Sequence, residues 1–417
     1  MKRKTLFLIA TLLFCVASNF AQDETFGPLT WKIENGTLTI SGTGAMPDAY
    51  SYTGPWCNET IDHSGGISIL CPFSTIIIKN GVTSIGCSAF SMSGNTSSIS
   101  IPSTVTSIGG GAFAYSGLRS IVIPSSITHI GGGAFFYCEA LTSINVDGEN
   151  ENYSSDDGVL FNKNKTTLIQ CPGGKKGSYI IPNSVVNIND CAFDWCLKLT
   201  EIYIPNTVSK IGKEAFSTCV KLNSISLPNN LVSIEERTFI ECSSLVSIII
   251  PNQVKSIGKF AFSSCKALTY VTCLNPVPPS LDFEVFYGVD IESCTLYVPK
   301  SSVDAYKRAP VWQDFKIVGI EVDIDEYDKE TDNNGEQLLI YPNPNTGTCS
   351  IIIPQEFQNE RFLTLSIYDN SGKKVQEISI DNENPEYSLK IDNKAAGVYV
   401  AVLSNGKRSV KGRIVFN

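Results

Sequence analysis

The chain contains 417 residues, of which 42% are hydrophobic and 18% are charged. This composition can bury a sizeable core in two or three domains, which excludes a largely disordered protein. The formal net charge of −9 is unsuited to binding a phosphate backbone, so nucleic acid is excluded as an expected partner.

Residues 1–21 have the pattern of a secretory signal peptide. Lys2, Arg3 and Lys4 precede the apolar run TLFLIATLLFCVA, and cleavage is expected after Ala21. A membrane anchor is the weaker interpretation, because the run is short for a bilayer span and no positive flank follows it. No later segment is apolar enough to cross a membrane, so the sequence predicts an exported protein without a transmembrane segment after signal removal.

A repeat of about 23 residues dominates the region 81–320, and LTEIYIPNTVSKIGKEAFSTC (199–219) is a clear copy. Its L-x-x-I-x-I part alternates as a short strand does, and the proline that follows cannot donate the next ladder hydrogen bond. A second extended piece, V-x-x-I, leads to a glycine such as Gly86 or Gly212, where a turn with positive φ is expected. The A-F-x-x-C part is predicted to form a tight helical or 3-10 turn.

Phenylalanine and cysteine recur at fixed places in the repeat and predict a buried ladder. One unit cannot bury its apolar side alone, whereas stacked units align each repeated position into a continuous core. The cysteine slot also accepts Ser93, Ser116 and Val289, so we interpret it as a small buried side chain and not as a nucleophile or metal ligand. The predicted structural ladder comprises Phe113, Phe135, Phe193, Phe216, Phe239, Phe262, Cys138, Cys196, Cys219, Cys242 and Cys265.

Disulfides are expected away from this ladder. Cysteines at stacked identical positions direct their Cβ atoms in parallel, which does not suit a disulfide. Off the ladder, the sequence offers Cys57 with Cys71, or Cys273 with Cys294.

The repeat resembles that of the BspA-like family of leucine-rich repeat proteins, approximately L-x-x-I-x-I-P-x-x-V-x-x-I-G-x-x-A-F-x-x-C, over about residues 24–320. The resemblance implies an N-terminal capping hairpin and first coil in 22–80, with Asn35-Gly36 as a type I′ turn. It also implies a hairpin insertion near 147–180. The expected fold is a β-rich leucine-rich-repeat solenoid of short strands and short helical or 3-10 turns, followed by a small C-terminal β-sandwich.

Acidic residues dominate 321–337 and predict a solvated linker. A calcium loop is the alternative interpretation. The EF-hand spacing fails after Asp323 and Asp325, because Tyr327 occupies the third place.

Residues 338–417 alternate short strands with turns such as NSGKK and SNGKR, which predicts the small β-sandwich. The runs YPNPNTG, IYDNSGKKV, GVYVAVL and KGRIVF resemble the C-terminal sorting domain of type IX secretion substrates. This resemblance implies passage across the outer membrane of a Bacteroidetes-type bacterium by the secretion machinery. It also implies removal of the module, often with attachment of the remainder to the cell surface.

The sequence contains no recognisable catalytic constellation. His129 occupies a variable polar position of the repeat, and His63 lies in a loop without an adjacent Ser or Cys motif. The stretch GVTSIGCS is not a phosphate-binding loop, because Cys87 replaces the required lysine. We therefore expect no enzyme activity, no cofactor and no metal, and an enzyme with an unrecognised site is the remote alternative.

Strand positions two and four residues before the repeat proline point away from the core and predict a binding face. Small hydroxyl side chains fill most of them. Tyr203 and Tyr270 are the expected anchors, because aromatic residues supply much of the contact energy at interfaces. An ordinary exposed sheet, with serines that limit unwanted edge association, is the alternative. The predicted face comprises Val122, Glu201, Tyr203, Ile249 and Tyr270.

These observations predict a secreted or surface-displayed, non-enzymatic protein whose solenoid binds another macromolecule. The family resemblance implies adhesion to host or neighbouring-cell proteins, although a fold does not fix a function. Capture of an extracellular glycan is the alternative.

Overall fold

The computed structural model describes residues 24–49, 54–61 and 67–320, together with 338–341, 348–354, 357, 360, 362–369, 373–381, 386–391 and 397–416 of the C-terminal region. The predicted signal peptide and the acidic linker lie outside the described residues. Strands are numbered in chain order.

An antiparallel hairpin opens the solenoid. Asn35 and Gly36 join its two long strands with φ values of 48° and 71°, which confirms the predicted type I′ turn. The last hairpin strand then pairs in parallel with the first repeat strand, Leu38 opposite Ile76. The elements of this region are β1 (Glu24–Phe26), β2 (Leu29–Glu34), β3 (Thr37–Gly42), β4 (Gly44–Ala45), β5 (Asn58–Ile61) and β6 (Ile67–Leu70).

The longer strands of the repeats stack in parallel and form the sheet that we call the long-strand face. Each strand contributes alternate side chains to the core, as Ile202 and Ile225 do in neighbouring coils. Its strands are β7 (Thr75–Ile78), β9 (Ser98–Ser100), β11 (Ser120–Ile123), β13 (Ser143–Val146), β17 (Lys176–Ile180), β19 (Lys198–Tyr203), β21 (Ser224–Ser226), β23 (Ser247–Ile250), β25 (Tyr270–Cys273), β27 (Thr295–Pro299) and β28 (Lys316–Ile320).

The V-x-x-I segments form a second stack of shorter parallel strands, in which Ile108 pairs with Ile85 and Ile130. The stack consists of β8 (Val82–Ile85), β10 (Ser107–Ile108), β12 (His129–Ile130), β18 (Asn187–Ile188), β20 (Lys210–Ile211), β22 (Ser233–Ile234), β24 (Ser256–Ile257) and β26 (Ser280–Leu281). Two parallel stacks around one elongated core establish the predicted repeat solenoid.

A hairpin interrupts the regular coils and rejoins the second stack. Strands β14 (Tyr153–Asp156) and β15 (Val159–Asn162) are antiparallel, and β16 (Thr167–Gln170) pairs with β15 and then in parallel with β18. The insertion therefore supplies the strand that a regular coil would have placed there.

The A-F-x-x-C segment consists of hydrogen-bonded turns, not the predicted helical or 3-10 turn. The residue before the alanine position and the residue two places after the phenylalanine have positive φ in each copy, and a helix cannot continue through them. In the first copy they are Ser88 (55°) and Met92 (57°). The described helical elements lie instead in the closing segment: η1 (Lys300–Ser302), α1 (Val303–Tyr306) and η2 (Trp312–Asp314).

A glycine follows V-x-x-I because the adjacent coil leaves no room for a Cβ atom. The prediction that this glycine has a positive φ was wrong. A Cβ atom on Gly109 would lie 2.4 Å from the backbone nitrogen of Cys87, and one on Gly131 would lie 2.4 Å from that of Gly110. Neither glycine has a positive φ. Adjacent coils thus approach so closely at this position that only hydrogen fits.

The repeat phenylalanines form two buried stacks, one from Phe90 to Phe135 and one from Phe193 to Phe286. Phe216 and Phe239 are 5.4 Å apart with an interplanar angle of 3°, and Phe113 and Phe135 are 5.7 Å apart at 5°. Aromatic side chains close the outer end of each stack, with Trp56 beyond Phe90, and Trp312 and Phe315 beyond Phe286.

The C-terminal module is a small β-sandwich with its own core, which includes Ile351, Leu365 and Ile414. Its two antiparallel sheets have the strand orders β29-β30-β33 and β32-β31-β34-β35. The strands are β29 (Leu339–Tyr341), β30 (Thr348–Ile352), β31 (Phe362–Tyr368), β32 (Lys374–Asp381), β33 (Glu386–Lys390), β34 (Gly397–Ser404) and β35 (Ser409–Phe416).

Candidate binding surfaces

The long-strand face is exposed in its N-terminal coils and covered further along. Val122 on β11 is 59% exposed, whereas Tyr203 on β19 and Ile249 on β23 are 4% and 5% exposed. Tyr203 and Ile249 are therefore not accessible parts of the predicted binding face. The repeat pattern places both side chains outside the core, but β29 of the C-terminal module lies against β21, the strand between β19 and β23.

The remaining predicted residues of this face are partly accessible. Glu201 and Tyr270 are half-buried, and the Tyr203 hydroxyl donates a hydrogen bond of 2.8 Å to Oε2 of Glu201. Tyr270 stacks on Tyr297 of the next strand, with 6.4 Å between the ring centroids. Ile180, which occupies the same row as Val122, is exposed. The accessible apolar side chains of this row therefore lie on β11 and β17.

A second surface, which the sequence analysis missed, is a column of three aromatic rings. Tyr115 and Tyr137 stack with their centroids 4.2 Å apart at 8°, and Tyr137 and Trp195 are 4.3 Å apart at 53°. Tyr115 is 47% exposed, and the other two rings are half-buried. Each ring belongs to the residue two places after a repeat phenylalanine, so aligning the variable positions of the turns would have found the column.

Acidic side chains lie beside this column. Asp194 is only 7% exposed, and its Oδ1 has no hydrogen-bond partner among the described residues. Burial and the charges of Glu214 and Glu241 raise the pKa of Asp194 to about 6, although a hydrogen bond with Ser217 opposes the shift. Glu214 is also held by Arg237, whose Nη1 lies 3.1 Å from its Oε1.

The ladder cysteines are hydrogen-bonded packing groups. The Sγ atoms of Cys219 and Cys242 donate to the carbonyl oxygens of Phe193 and Phe216 in the preceding coil, at 3.2 and 3.1 Å. Burial raises the pKa of both thiols, to about 12 for Cys242. A thiol with a raised pKa and no exposure is a poor nucleophile. The same thiol-to-carbonyl bond is present at Cys138 and Cys265.

We expect Cys219 to resist alkylation in the native protein, because its thiol is buried, hydrogen-bonded and raised in pKa. Pulsed iodoacetamide labelling at pH 8, followed by peptide mass spectrometry, should modify the exposed free Cys87 first and Cys219 only after addition of denaturant. Equal labelling rates of the two thiols in the native protein would contradict the packing interpretation.

One of the two suggested disulfides is present. Cys57 and Cys71 are bridged, which confirms that pair. Cys273 and Cys294 are both free, so the second suggestion was wrong. The Tyr306 hydroxyl lies 3.1 Å from Sγ of Cys273 and donates to the carbonyl of Asn275 at 2.8 Å, so Cys273 packs against the closing segment.

Within the described residues, no group of three His, Cys, Asp or Glu side chains is arranged to hold a metal ion. His129 is exposed on β12, and His63 lies outside the described residues. No helix in the described part of the chain has the length and apolar character needed to cross a membrane.

Several solved structures are similar to this chain. The crystal structure of the pneumococcal vaccine antigen PcpA is 20% identical, with a TM-score of 0.52 over 72% of this chain and 99% of that chain; this likeness shows the fold. A leucine rich cell surface protein from Faecalibacterium prausnitzii A2-165 is 22% identical, with a TM-score of 0.46 over 73% of this chain and 96% of that one. A leucine-rich repeat protein from Eubacterium ventriosum is 24% identical, with a TM-score of 0.42 over 70% and 91%. No curated protein matches the chain.

Two family models match distinct parts of the chain. The secretion system C-terminal sorting domain matches residues 339–417, which indicates a secreted or surface protein that passes through that secretion machinery. The BspA type leucine rich repeat region matches residues 69–176 and 175–291 in six copies. These repeats cover more than half of the 417 residues, and the chain belongs to the BspA type leucine-rich repeat family.

Proposed function

We propose that this protein is exported with an N-terminal signal peptide and binds an extracellular protein through its solenoid, in adhesion and without catalysis. The observation that carries the proposal is the exposed part of the long-strand face, where Val122 and Ile180 stand among small hydroxyl side chains. Isolated apolar side chains in a flat polar field suit contact with another macromolecule.

The C-terminal module restricts which part of the face is open. Strand β29 lies against β21, and the flanking Tyr203 and Ile249 are buried. The proposal therefore places first contact at the coils of β11 to β17, with Glu201 and Tyr270 at its margin. Removal of the sorting module would enlarge the face by exposing Tyr203 and Ile249.

Screening the protein against arrays of extracellular-matrix proteins and of glycans tests this proposal. Retention by one or more proteins is the expected result. Retention by glycans alone would favour the alternative function, capture of carbohydrate. Turnover of a retained molecule would instead support an enzyme.

We expect Val122→Asp to weaken binding to a retained protein by about tenfold or more, because a charge would replace an exposed apolar contact at the centre of the open face. Val232→Asp is the matched control, since Val232 is also exposed but lies beside β22 of the second stack. Surface plasmon resonance with both variants measures the effect. Equal affinities of the two variants would place the contact elsewhere on the solenoid.

A further inference from the structure

The aromatic column and the buried carboxylate beside it have properties that the long-strand face does not share. We call this set of side chains, Tyr115, Tyr137, Trp195, Asp194 and Glu214, the aromatic–acidic cluster. The stack covers both faces of the Tyr137 ring, whereas the two end rings each keep one face that no other ring of the column covers.

The acidic and aromatic parts of the cluster are close enough to interact. The charges of Asp194 and Glu214, after the larger effect of burial, raise the pKa of the Tyr137 hydroxyl. The Cys191 thiol lies 3.8 Å from Oε2 of Glu214, and its pKa is raised to about 12 by burial and by neighbouring negative charges. Each of these shifts disfavours further negative charge in the cluster.

Among the described residues no positive charge acts on Asp194, although Ser217 and the backbone of Trp195 hydrogen-bond to its carboxylate. The charges that act on it are those of Glu214 and Glu241, both negative. The titratable groups that feel its charge in turn are the Tyr137 hydroxyl and the thiols of Cys191, Cys196, Cys219 and Cys242. A buried carboxylate with an unsatisfied oxygen is costly, and a cation that donates a hydrogen bond would remove that cost.

We propose that the aromatic–acidic cluster binds the cationic side chain of an arginine or lysine in an exposed segment of a partner protein. A guanidinium can donate to a carboxylate while its plane lies against an aromatic ring, and an ammonium can do so over a ring face. A divalent metal ion fits less well, because it needs several oxygen ligands and no three His, Cys, Asp or Glu side chains of the described residues are grouped to hold one.

The cluster is separate from the long-strand face. It is built from the turn segments on either side of the repeat phenylalanines, whereas Val122 and Ile180 lie on strands β11 and β17. The inference therefore does not depend on which molecule contacts that face, and a negative result here would leave the proposed function standing.

Short peptides test the inference with the full chain. The probes are hexa-arginine, hexa-lysine and hexa-citrulline, in which citrulline keeps the shape of arginine without its charge. Trp195 reports binding through its fluorescence, because Trp31, Trp56 and Trp312 are all buried. Saturable binding of the arginine or lysine peptide without binding of the citrulline peptide is expected. Equal binding of all three peptides would overturn the inference.

Variants then locate the site. Asp194→Asn should weaken arginine-peptide binding by about tenfold, the usual scale for one charge-assisted hydrogen bond. Asp282→Asn removes the same charge from an exposed position on a distant coil and should leave the affinity unchanged. Equal losses of affinity in both variants would show that the peptide responds only to the net negative charge of the protein. That result would contradict a binding site at Asp194.

Substitutions of the aromatic residues test the other part of the cluster. Trp195→Ala should weaken binding of the arginine peptide, as measured by calorimetry, and Trp195→Phe should retain most of the affinity. Tyr115→Ala removes an exposed ring of the column, and Tyr287→Ala removes an exposed tyrosine from the last coil. Equal affinities of these two tyrosine variants would contradict a role for the column, and both substitutions at exposed sites should leave the fold intact.

The affinity should also depend on pH. Asp194 carries its charge only above its pKa of about 6, so binding of the arginine peptide should weaken as the pH falls through that value. Asp194→Asn should abolish this step while Asp282→Asn keeps it. A step that persists in Asp194→Asn would assign the titration to another group and overturn the role of Asp194.

Discussion

Phe216→Ala should be among the most destabilising single substitutions in the solenoid, lowering the free energy of unfolding by about 3 to 5 kcal/mol. The ring is fully buried, and it stacks on Phe193 at 5.1 Å and on Phe239 at 5.4 Å. Truncation therefore leaves a cavity and also removes two aromatic contacts, each worth about 0.5 to 1.5 kcal/mol beyond burial. Urea unfolding followed by far-ultraviolet circular dichroism measures the change.

The control for Phe216 is a phenylalanine outside the stack. Phe283 is exposed, and its Ala variant should change stability by no more than about 1 kcal/mol. Phe216→Leu should fall between the two, because it fills part of the volume without restoring the stack. Similar losses for Phe216→Ala and Phe283→Ala would contradict a stack that stabilises the core.

A sequence with a strict period predicts well which side chains form the core, because the same position of the repeat is buried in every coil. Phe193, Phe216 and Phe239 could be assigned to the interior from spacing alone, and the structure places them there. The thiol-to-carbonyl bond of Cys219 could not be predicted in the same way. This bond depends on the distance between stacked coils, and that distance cannot be read from the spacing of the repeats in the sequence.

Exposure on the long-strand face was harder to predict than burial in the core. Alternation along a strand shows which side chains leave the core, but not what lies opposite them. Tyr203 and Val122 occupy the same row, yet Tyr203 is buried and Val122 is exposed. Next to Tyr203, a strand more than a hundred residues later in the chain, β29, lies against β21, and the period of the repeat does not predict that contact.

The aromatic column escaped prediction for a different reason. Tyr115, Tyr137 and Trp195 occupy a position of the turn that elsewhere holds Thr218, Glu241 or Ser264, so no single residue type marks it from coil to coil. All six residues have a positive φ of 54° to 60°. The backbone thus repeats where the side chains do not, and only the stacked coils bring the three rings together.

Gly131→Ala should also be strongly destabilising, and its neighbour offers a matched control. A Cβ atom on Gly131 would lie 2.4 Å from the backbone nitrogen of Gly110 and 2.8 Å from the carbonyl carbon of Gly109. Backbone in a hydrogen-bonded stack cannot move as a flexible side chain can, so the coils must separate locally. We expect the free energy of unfolding to fall by about 1 to 3 kcal/mol or more, as measured by urea unfolding.

Gly132→Ala adds the same methyl group one residue later, where no atom lies within 4 Å of the added Cβ and φ is not positive. This change should be neutral, or stabilising by up to about 1 kcal/mol, because alanine reduces the conformational entropy of the unfolded chain. The contrast between the two variants isolates the contact between coils from the general effect of replacing glycine. Equal effects would mean that close approach of the coils does not explain the place of glycine in the repeat.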